Sequence, residues 1–127
     1  MVENNYFEDR GDKYFGPFMQ QFIIDFLPLD KNKKVLDVGS GLCKHLSKLN
    51  ELGYVNAKGI DVSDYAVNFG RKLGLNVEKV NSITEYALNH HGEYDFILMA
   101  HVLEHLEKSE VIRTLASIKE MLTADGT

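Results

Sequence analysis

The sequence is poor in cysteine and in proline, has no tryptophan, and contains fewer basic than acidic residues. Its single cysteine cannot form an internal disulfide, which excludes a disulfide-stabilised fold and favours a reducing compartment. Acidic residues outnumber basic ones and give a net charge of -5, so the basic surface of nucleic-acid-binding or membrane-binding proteins is missing. No apolar run approaches the roughly 20 residues of a membrane span, and the acidic N-terminus does not resemble a signal peptide. We therefore expect one cytoplasmic domain.

The clearest feature present is a buried-strand pattern that runs into two glycines. Residues 35–38 are mostly apolar and β-branched, as in a strand that is covered on both faces. Gly39 and Gly41 follow, and the apolar spacing over 42–52 then predicts a helix. Glycine permits positive φ and lets a ligand contact bare backbone. A strand, a two-glycine turn and a helix N-terminus together predict a nucleotide-binding corner of a Rossmann-like sheet.

A second signal is Asp61, at the end of the next predicted strand and 22 residues after Gly39. A parallel neighbouring strand would bring this carboxylate to a ribose diol. The dinucleotide fingerprint also needs a glycine at position 44, where the chain has Lys44. NAD or FAD binding therefore loses its main support, and an NAD-dependent oxidoreductase is the weakest alternative.

Apolar periodicity predicts helices between and beside the strands. Residues 17–27 carry a phenylalanine-rich stripe that predicts a helix packed on the sheet. Thr84 is the predicted cap of a short helix. Residues 109–122 predict a longer one, whose inward-facing residues are Val111, Ile112, Leu115, Ile118, Met121 and Leu122. Strands and helices that alternate with short connections require parallel strands and right-handed crossovers.

Three stretches resemble the class I S-adenosylmethionine (SAM) methyltransferases. The run Asp37-Val38-Gly39-Ser40-Gly41-Leu42-Cys43 resembles the family motif D/E-x-G-x-G-x-G, with Cys43 in place of the third glycine. Gly59-Ile60-Asp61 resembles the acidic end of the second strand, and residues 94–106 resemble the fourth strand with its following turn. The resemblance is closest to the small-molecule branch, which includes ubiquinone-biosynthesis and sugar methyltransferases.

The resemblance implies an α/β fold, a Rossmann-like three-layer sandwich with helices on both faces of a parallel sheet of strand order 3-2-1-4. The family sheet has seven strands, whereas this chain has residues for four. We therefore expect a polar arm over residues 1–13 and, over 14–127, the N-terminal portion of a SAM-binding domain without its C-terminal strands.

The resemblance also implies which residues hold the methionine and ribose parts of SAM. Gly39, Ser40 and Gly41 would form the turn against the methionine portion. Asp37 would orient the methionine amino group, or alternatively brace the turn through backbone N–H groups. Asp61 would accept hydrogen bonds from both ribose hydroxyls, or alternatively cap the following helix.

At the adenine end, Val62 would pack on the ring and the backbone N–H of Ile83 would bind a ring nitrogen. Ser82 stands where many relatives have an acid that accepts from the adenine amino group. A hydroxyl can accept the same hydrogen bond, but without charge.

The residues after the fourth predicted strand allow three interpretations. In the first, Ala100 and His101 line the pocket beside the sulfonium. In the second, His101, Glu104 and His105 bind a divalent ion, as a Glu-x-x-Glu-His cluster does in some relatives, although we assign no metal here. In the third, His101 is a general base for a substrate hydroxyl, because its pKa range suits that role.

The implied function is transfer of a methyl group from SAM to a small-molecule acceptor, with S-adenosylhomocysteine (AdoHcy) as product. The alternative is a truncated, inactive SAM-binding module that assembles with a partner. The apolar fourth strand would then be an open edge, which invites dimerisation or pairing with a missing C-terminal segment.

Overall fold

Four short parallel strands form the sheet at the centre of the computed structural model, which describes residues 16–100 and 102–127. The strands are β1 (Val35–Val38), β2 (Ala57–Asp61), β3 (Val77–Lys79) and β4 (Phe96–Met99). Their order across the sheet is β3-β2-β1-β4, which confirms the predicted order 3-2-1-4. The predicted arm over residues 1–13 and the candidate residue His101 lie outside the described residues.

Helices connect the strands on both faces of this sheet. They are α1 (Gln21–Phe26), α2 (Lys44–Glu51), α3 (Asp64–Lys72), α4 (Ile83–Ala87) and α5 (Lys108–Met121), with a short 3-10 turn at Leu103–His105. Within the two described ranges, none of the helices has both the length and the apolar character needed to cross a bilayer.

Strand alternation divides the core into two halves. One half packs Val35 of β1 with Leu46 and Leu49 of α2 and with Val67 of α3. The other packs Leu36 and Val38 of β1, together with Ile60 of β2, against side chains of the α4 and α5 layer, namely Tyr86, Ala87 and Met121. This arrangement confirms the three-layer sandwich.

Two predicted helix faces are confirmed only in part. In residues 17–27, Leu27 is buried and Ile23 packs against the core, but Phe18, Phe22 and Phe26 are each more than half exposed. In α5, Met121 is buried and Ile118 packs against the core, but Ile112 and Leu115 are exposed, and the short side chains of Thr114 and Ser117 are buried. Both segments carry apolar residues on more than one side, so apolar spacing alone does not select the buried side.

The edge of β4 is partly covered by the last residues of the chain. The backbone N–H of Thr123 donates to the oxygen of Tyr94 at 2.8 Å, and the N–H of Ile97 donates to the oxygen of Thr127 at 2.8 Å. The N–H of Thr127 in turn donates to the oxygen of Asp95 at 3.1 Å. Residues 123–127 therefore begin a parallel pairing along β4. Pairing of another segment or copy with the rest of that edge stays a prediction.

Cys43 has a backbone conformation that normally requires glycine. It is the residue that precedes α2, it is fully buried, and it lies in the left-handed region with φ of 64°. A residue with a Cβ costs about 1–2 kcal/mol in this region. Cys43, which stands at the position of the third glycine in the motif that the sequence resembles, thus keeps a glycine-like backbone and adds a buried thiol at the expense of strain.

We expect Cys43→Gly to be more stable than Cys43→Ala, by about 1 kcal/mol. Both variants lose the buried sulfur, but only glycine relieves the left-handed strain, so the usual preference for alanine over glycine is reversed. Urea denaturation of the two variants and the wild type measures the difference. An alanine variant as stable as the glycine variant would show that position 43 carries no strain.

Candidate functional site

A cleft of about 1060 Å³ lies at the carboxyl edge of the sheet. The strands are parallel, so the residues that follow β1, β2 and β4 meet at this edge. Eight of the residues predicted to bind a cofactor line the cleft, namely Gly39, Ser40, Gly41, Asp61, Val62, Ser82, Ile83 and Ala100. Asp37 lies beneath the glycine turn rather than on the cleft surface, and His101 lies outside the described residues.

The glycine turn is held by backbone hydrogen bonds to β2. The N–H groups of Gly39 and Ser40 both donate to the oxygen of Ile60, at 2.8 and 3.1 Å. Gly39 and Gly41 have φ of 71° and 53°, as the motif predicts. A Cβ on Gly39 would lie 2.5 Å from Cγ2 of Val102, so the loop after β4 also requires glycine at this position.

Asp61 connects the glycine turn to the start of α3. Its Oδ2 accepts a hydrogen bond from the N–H of Gly41, and its Oδ1 accepts one from the N–H of Ser63, both at 2.9 Å. Ser63 itself caps α3 by accepting from the N–H of Ala66 at 3.2 Å. Asp61 therefore braces the turn, and it also lines the cleft.

Asp37 is a buried carboxyl whose hydrogen bonding is incomplete. It is 2% exposed, and its Oδ2 has no hydrogen-bond partner among the described residues. Burial, and next the negative charge of Asp61, raise the pKa of Asp37 from its ordinary 3.8 to about 8. The hydroxyl of Ser40, a residue of the glycine turn, is also buried and has no hydrogen-bond partner among the described residues. Two unsatisfied polar atoms beneath one turn are costly, and functional sites commonly carry such a cost.

Cys43 belongs to the same region but is chemically inert. Burial, together with the charge of Asp37, raises the pKa of its thiol to about 12, so the thiol is protonated at neutral pH. Its Sγ lies 3.7 Å from the oxygen of Gly41. The side chain therefore packs beneath the turn, as expected for a lone cysteine.

Ser82 has a structural role in addition to its position in the cleft. Its Oγ accepts a hydrogen bond from the N–H of Glu85 at 3.1 Å and thereby caps α4. The prediction that Thr84 is the cap is wrong, because the helix begins at Ile83 and the hydroxyl of Thr84 instead lies 3.2 Å from that of Ser82. Ser and Thr are both good caps, so the helix start could not be assigned from residue type alone.

The loop after β4 brings Ala100, Glu104 and His105 to the cleft. Glu104 and His105 are exposed side chains whose Oε1 and Nε2 lie 4.0 Å apart. Over residues 16–100 and 102–127, no group of three or more His, Cys, Asp or Glu residues is placed to hold a metal ion. His101 is not among those residues, so the metal and general-base interpretations of His101 both stay hypotheses.

Sequence reasoning missed a second wall of the cleft. Glu110, Arg113 and Thr114 lie on one side of the first turns of α5, and Lys44 and His45 begin α2. The signal was present, because residues spaced i, i+3 and i+4 share one face of a helix that starts at this edge of the sheet. These five residues line the same cleft as the predicted cofactor-binding residues, and none of them is itself a predicted cofactor contact.

Comparison with protein families gives one decisive match. A family model described as a methyltransferase domain matches residues 11–127. The chain belongs to the methyltransferase domain family. No curated protein matches the chain.

Solved structures of SAM-dependent methyltransferases have the same fold as this domain. One from Archaeoglobus fulgidus superposes with a TM-score of 0.70 at 21% identity, covering 81% of this chain and 45% of its own. One from Aquifex aeolicus has a TM-score of 0.59 at 28% identity, covering 81% of this chain and 57% of its own. PKMT2 from Rickettsia typhi, in complex with AdoHcy, has a TM-score of 0.66 at 27% identity, with coverage of 78% and 20%. The chain thus corresponds to between a fifth and somewhat over half of these proteins.

We expect Asp37→Asn to stabilise the ligand-free protein, and to do so more at pH 8 than at pH 5. The raised pKa means that the contribution of Asp37 to stability is greatest below about pH 4 and is lost as pH rises towards about 8, because the unfolded carboxyl releases its proton first. The amide lacks this dependence, so the gain grows by up to roughly 1.4 kcal/mol for each pH unit within that window.

Thermal unfolding at the two pH values measures this difference, and the exposed Asp64→Asn is the matched control. A gain of equal size at both pH values, or a loss at pH 8, would contradict the assignment of a protonated Asp37.

Proposed function

We propose that this domain binds SAM in the cleft and transfers its methyl group to a small-molecule acceptor, releasing AdoHcy. The observation that supports this most is the glycine turn tied through Gly41 to Asp61, because it places bare backbone and a carboxylate side by side at one edge of the sheet. Membership of the methyltransferase domain family is independent support. A cytoplasmic location, expected from the sequence, is part of the same proposal.

The residues present fit the chemistry of this cofactor. The turn from Gly39 to Gly41 would hold the methionine portion, with the incompletely bonded Asp37 available to a cationic amino group beneath it. Asp61 would accept the ribose hydroxyls, each such charged hydrogen bond contributing about 1.5–3 kcal/mol. Three residues would surround the adenine, namely Val62, Ser82 and Ile83.

Methyl transfer depends more on the position of the acceptor than on proton transfer by the protein. A sulfonium is an activated methyl donor when bound, so the protein's main contribution is to hold the acceptor in line with it. Ala100 and His101 would lie beside the sulfonium, with His101 as the candidate base for a hydroxyl acceptor. Small-molecule sites reach about 1,000 Å³, and the volume of this cleft is at that upper limit. The cleft therefore has room for an acceptor beside the cofactor, against Glu110, Arg113 and Thr114 of α5.

A SAM-binding module that works only with a partner is the second candidate. It is favoured by apolar side chains that no described residue covers, such as Phe22 and Phe26 of α1 and Ile112 of α5. Release of AdoHcy on incubation with SAM and a panel of hydroxyl, amine and sugar acceptors distinguishes an enzyme from such a module.

Cofactor identity is tested by ligand-dependent thermal stabilisation. We expect AdoHcy at 100 times its Kd to add about 2.7 kcal/mol of stability, and NAD to add none. Asp61→Ala should weaken AdoHcy binding at least tenfold in calorimetry, because the ribose loses its charged acceptor.

Ser63→Ala is the matched control for the structural role of Asp61. It removes the cap of α3, at about 1 kcal/mol, and should leave AdoHcy affinity unchanged. Protection by NAD, or unchanged AdoHcy affinity in Asp61→Ala, would remove the assignment.

Ser82→Asp should tighten AdoHcy binding by several-fold without loss of stability. Aspartate caps a helix as well as serine does, so α4 keeps its N-cap. The carboxylate would also add a charge-assisted hydrogen bond to the adenine amino group. Calorimetry of Ser82→Asp and of Ser82→Ala, which lacks any acceptor, gives the comparison. Equal affinity of the two variants would show that position 82 does not contact the adenine.

A further inference from the structure

Asp37 lies in a part of the core where burial and the nearby charge of Asp61 make its ionised form less favourable. Its side chain points to the α2 face of the sheet, beside Gly59 of β2 and Leu98 of β4, neither of which supplies a polar side chain. The titratable groups that face it are the carboxylate of Asp61 and the protonated thiol of Cys43. Among the described residues, 16–100 and 102–127, Asp37 takes part in none of the ion pairs.

The carboxyl of Asp37 lies close to the glycine turn, residues 39–41. Asp37 pairs in register with Gly59, and a Cβ on Gly59 would lie 3.0 Å from the hydroxyl oxygen of Ser40 in the turn above. The carboxyl of Asp37 and the unpartnered hydroxyl of Ser40 therefore lie on the same side of the sheet, directly under the glycine turn. A buried carboxyl with an unpaired oxygen and an anionic neighbour holds a proton in the ligand-free protein.

We propose that cofactor binding exchanges the proton on Asp37 for the positive charge at the amino-acid end of the cofactor, so that binding releases about one proton to solvent near neutral pH. This inference rests on the proposed function, since it needs a cationic ligand at the glycine turn. In the exchange the O–H bond of Asp37 breaks, the proton passes to a buffer base, and the carboxylate pairs with the ammonium group, directly or through water.

The exchange makes cofactor affinity depend on pH. Where Asp37 is protonated in the free protein and ionised in the complex, each unit of pH increases affinity about tenfold, up to the pKa of the free carboxyl at about 8. The domain would thus bind its cofactor weakly in acid and tightly at neutral to slightly alkaline pH. The neutral amide of the variant Asp37→Asn mimics the protonated carboxyl, so variant and wild type should bind equally near pH 5.5 and diverge as pH rises.

The test is calorimetric titration of the full chain with AdoHcy in phosphate and in Tris, two buffers with different enthalpies of ionisation. At pH 7 the difference in binding enthalpy should correspond to release of about 0.9 proton by the wild type, as expected for a pKa of about 8. Asp37→Asn should release almost none and should bind at least tenfold more weakly at pH 7.5. Asp64→Asn, the same change at an exposed site, should behave as the wild type does.

Two histidines, His45 and His105, also line the cleft, and a histidine is the competing source of a released proton. If Asp37→Asn still releases the proton, a histidine supplies it and the inference is wrong. If the wild type binds AdoHcy with no proton exchange, the inference is wrong and the proposed function stands. If AdoHcy does not bind at any pH between 5.5 and 8, both are wrong.

Discussion

The hydrogen bond from the N–H of Gly41 to the carboxylate of Asp61 is the contact on which the site depends. It joins the turn after β1 to the end of β2, and the second oxygen of Asp61 continues the connection to Ser63 and the start of α3. One side chain therefore fixes the position of the glycine turn and of a helix N-terminus, and it stands at the surface of the cleft. Removing this carboxylate also removes two hydrogen bonds of the turn and the helix start, so the proposed ligand contact and the structural contacts coincide at this residue.

The segment around the glycine turn contains three local features that cost stability. The buried Asp37 holds an oxygen without a partner, Ser40 holds a second, and Cys43 is held in a left-handed conformation beside them. All three lie within the seven-residue motif, and the rest of the sheet is packed with apolar side chains. Proteins retain such local costs at sites where a ligand is bound, because a cofactor can complete the missing interactions.

The sequence predicts the backbone of this site better than it predicts the helix faces. The glycine conformations and the strands follow from residue type, because Gly39 and Gly41 permit positive φ and short apolar runs form buried strands. The strand order is predicted from the family resemblance, and the structure confirms it. The outward direction of Phe22 and Ile112 could not be predicted, since helices with apolar residues on several sides can pack with either side inward. The contacts of Asp61 with the turn depend on a hydrogen bond between two segments, which apolar spacing does not encode. The cap at Ser82 depends on the exact residue at which the helix begins, and apolar spacing does not fix a helix start to one residue.

The central claim is that the glycine turn and Asp61 together hold the adenosyl and methionine parts of one cofactor. A crystal structure of the chain grown with excess AdoHcy tests it most directly. We expect the ribose hydroxyls within hydrogen-bond distance of Asp61, at about 2.5–3.0 Å, and the methionine portion against the turn from Gly39 to Gly41. A cleft that is empty in such crystals, or closed by its own side chains such as Val102, would contradict it.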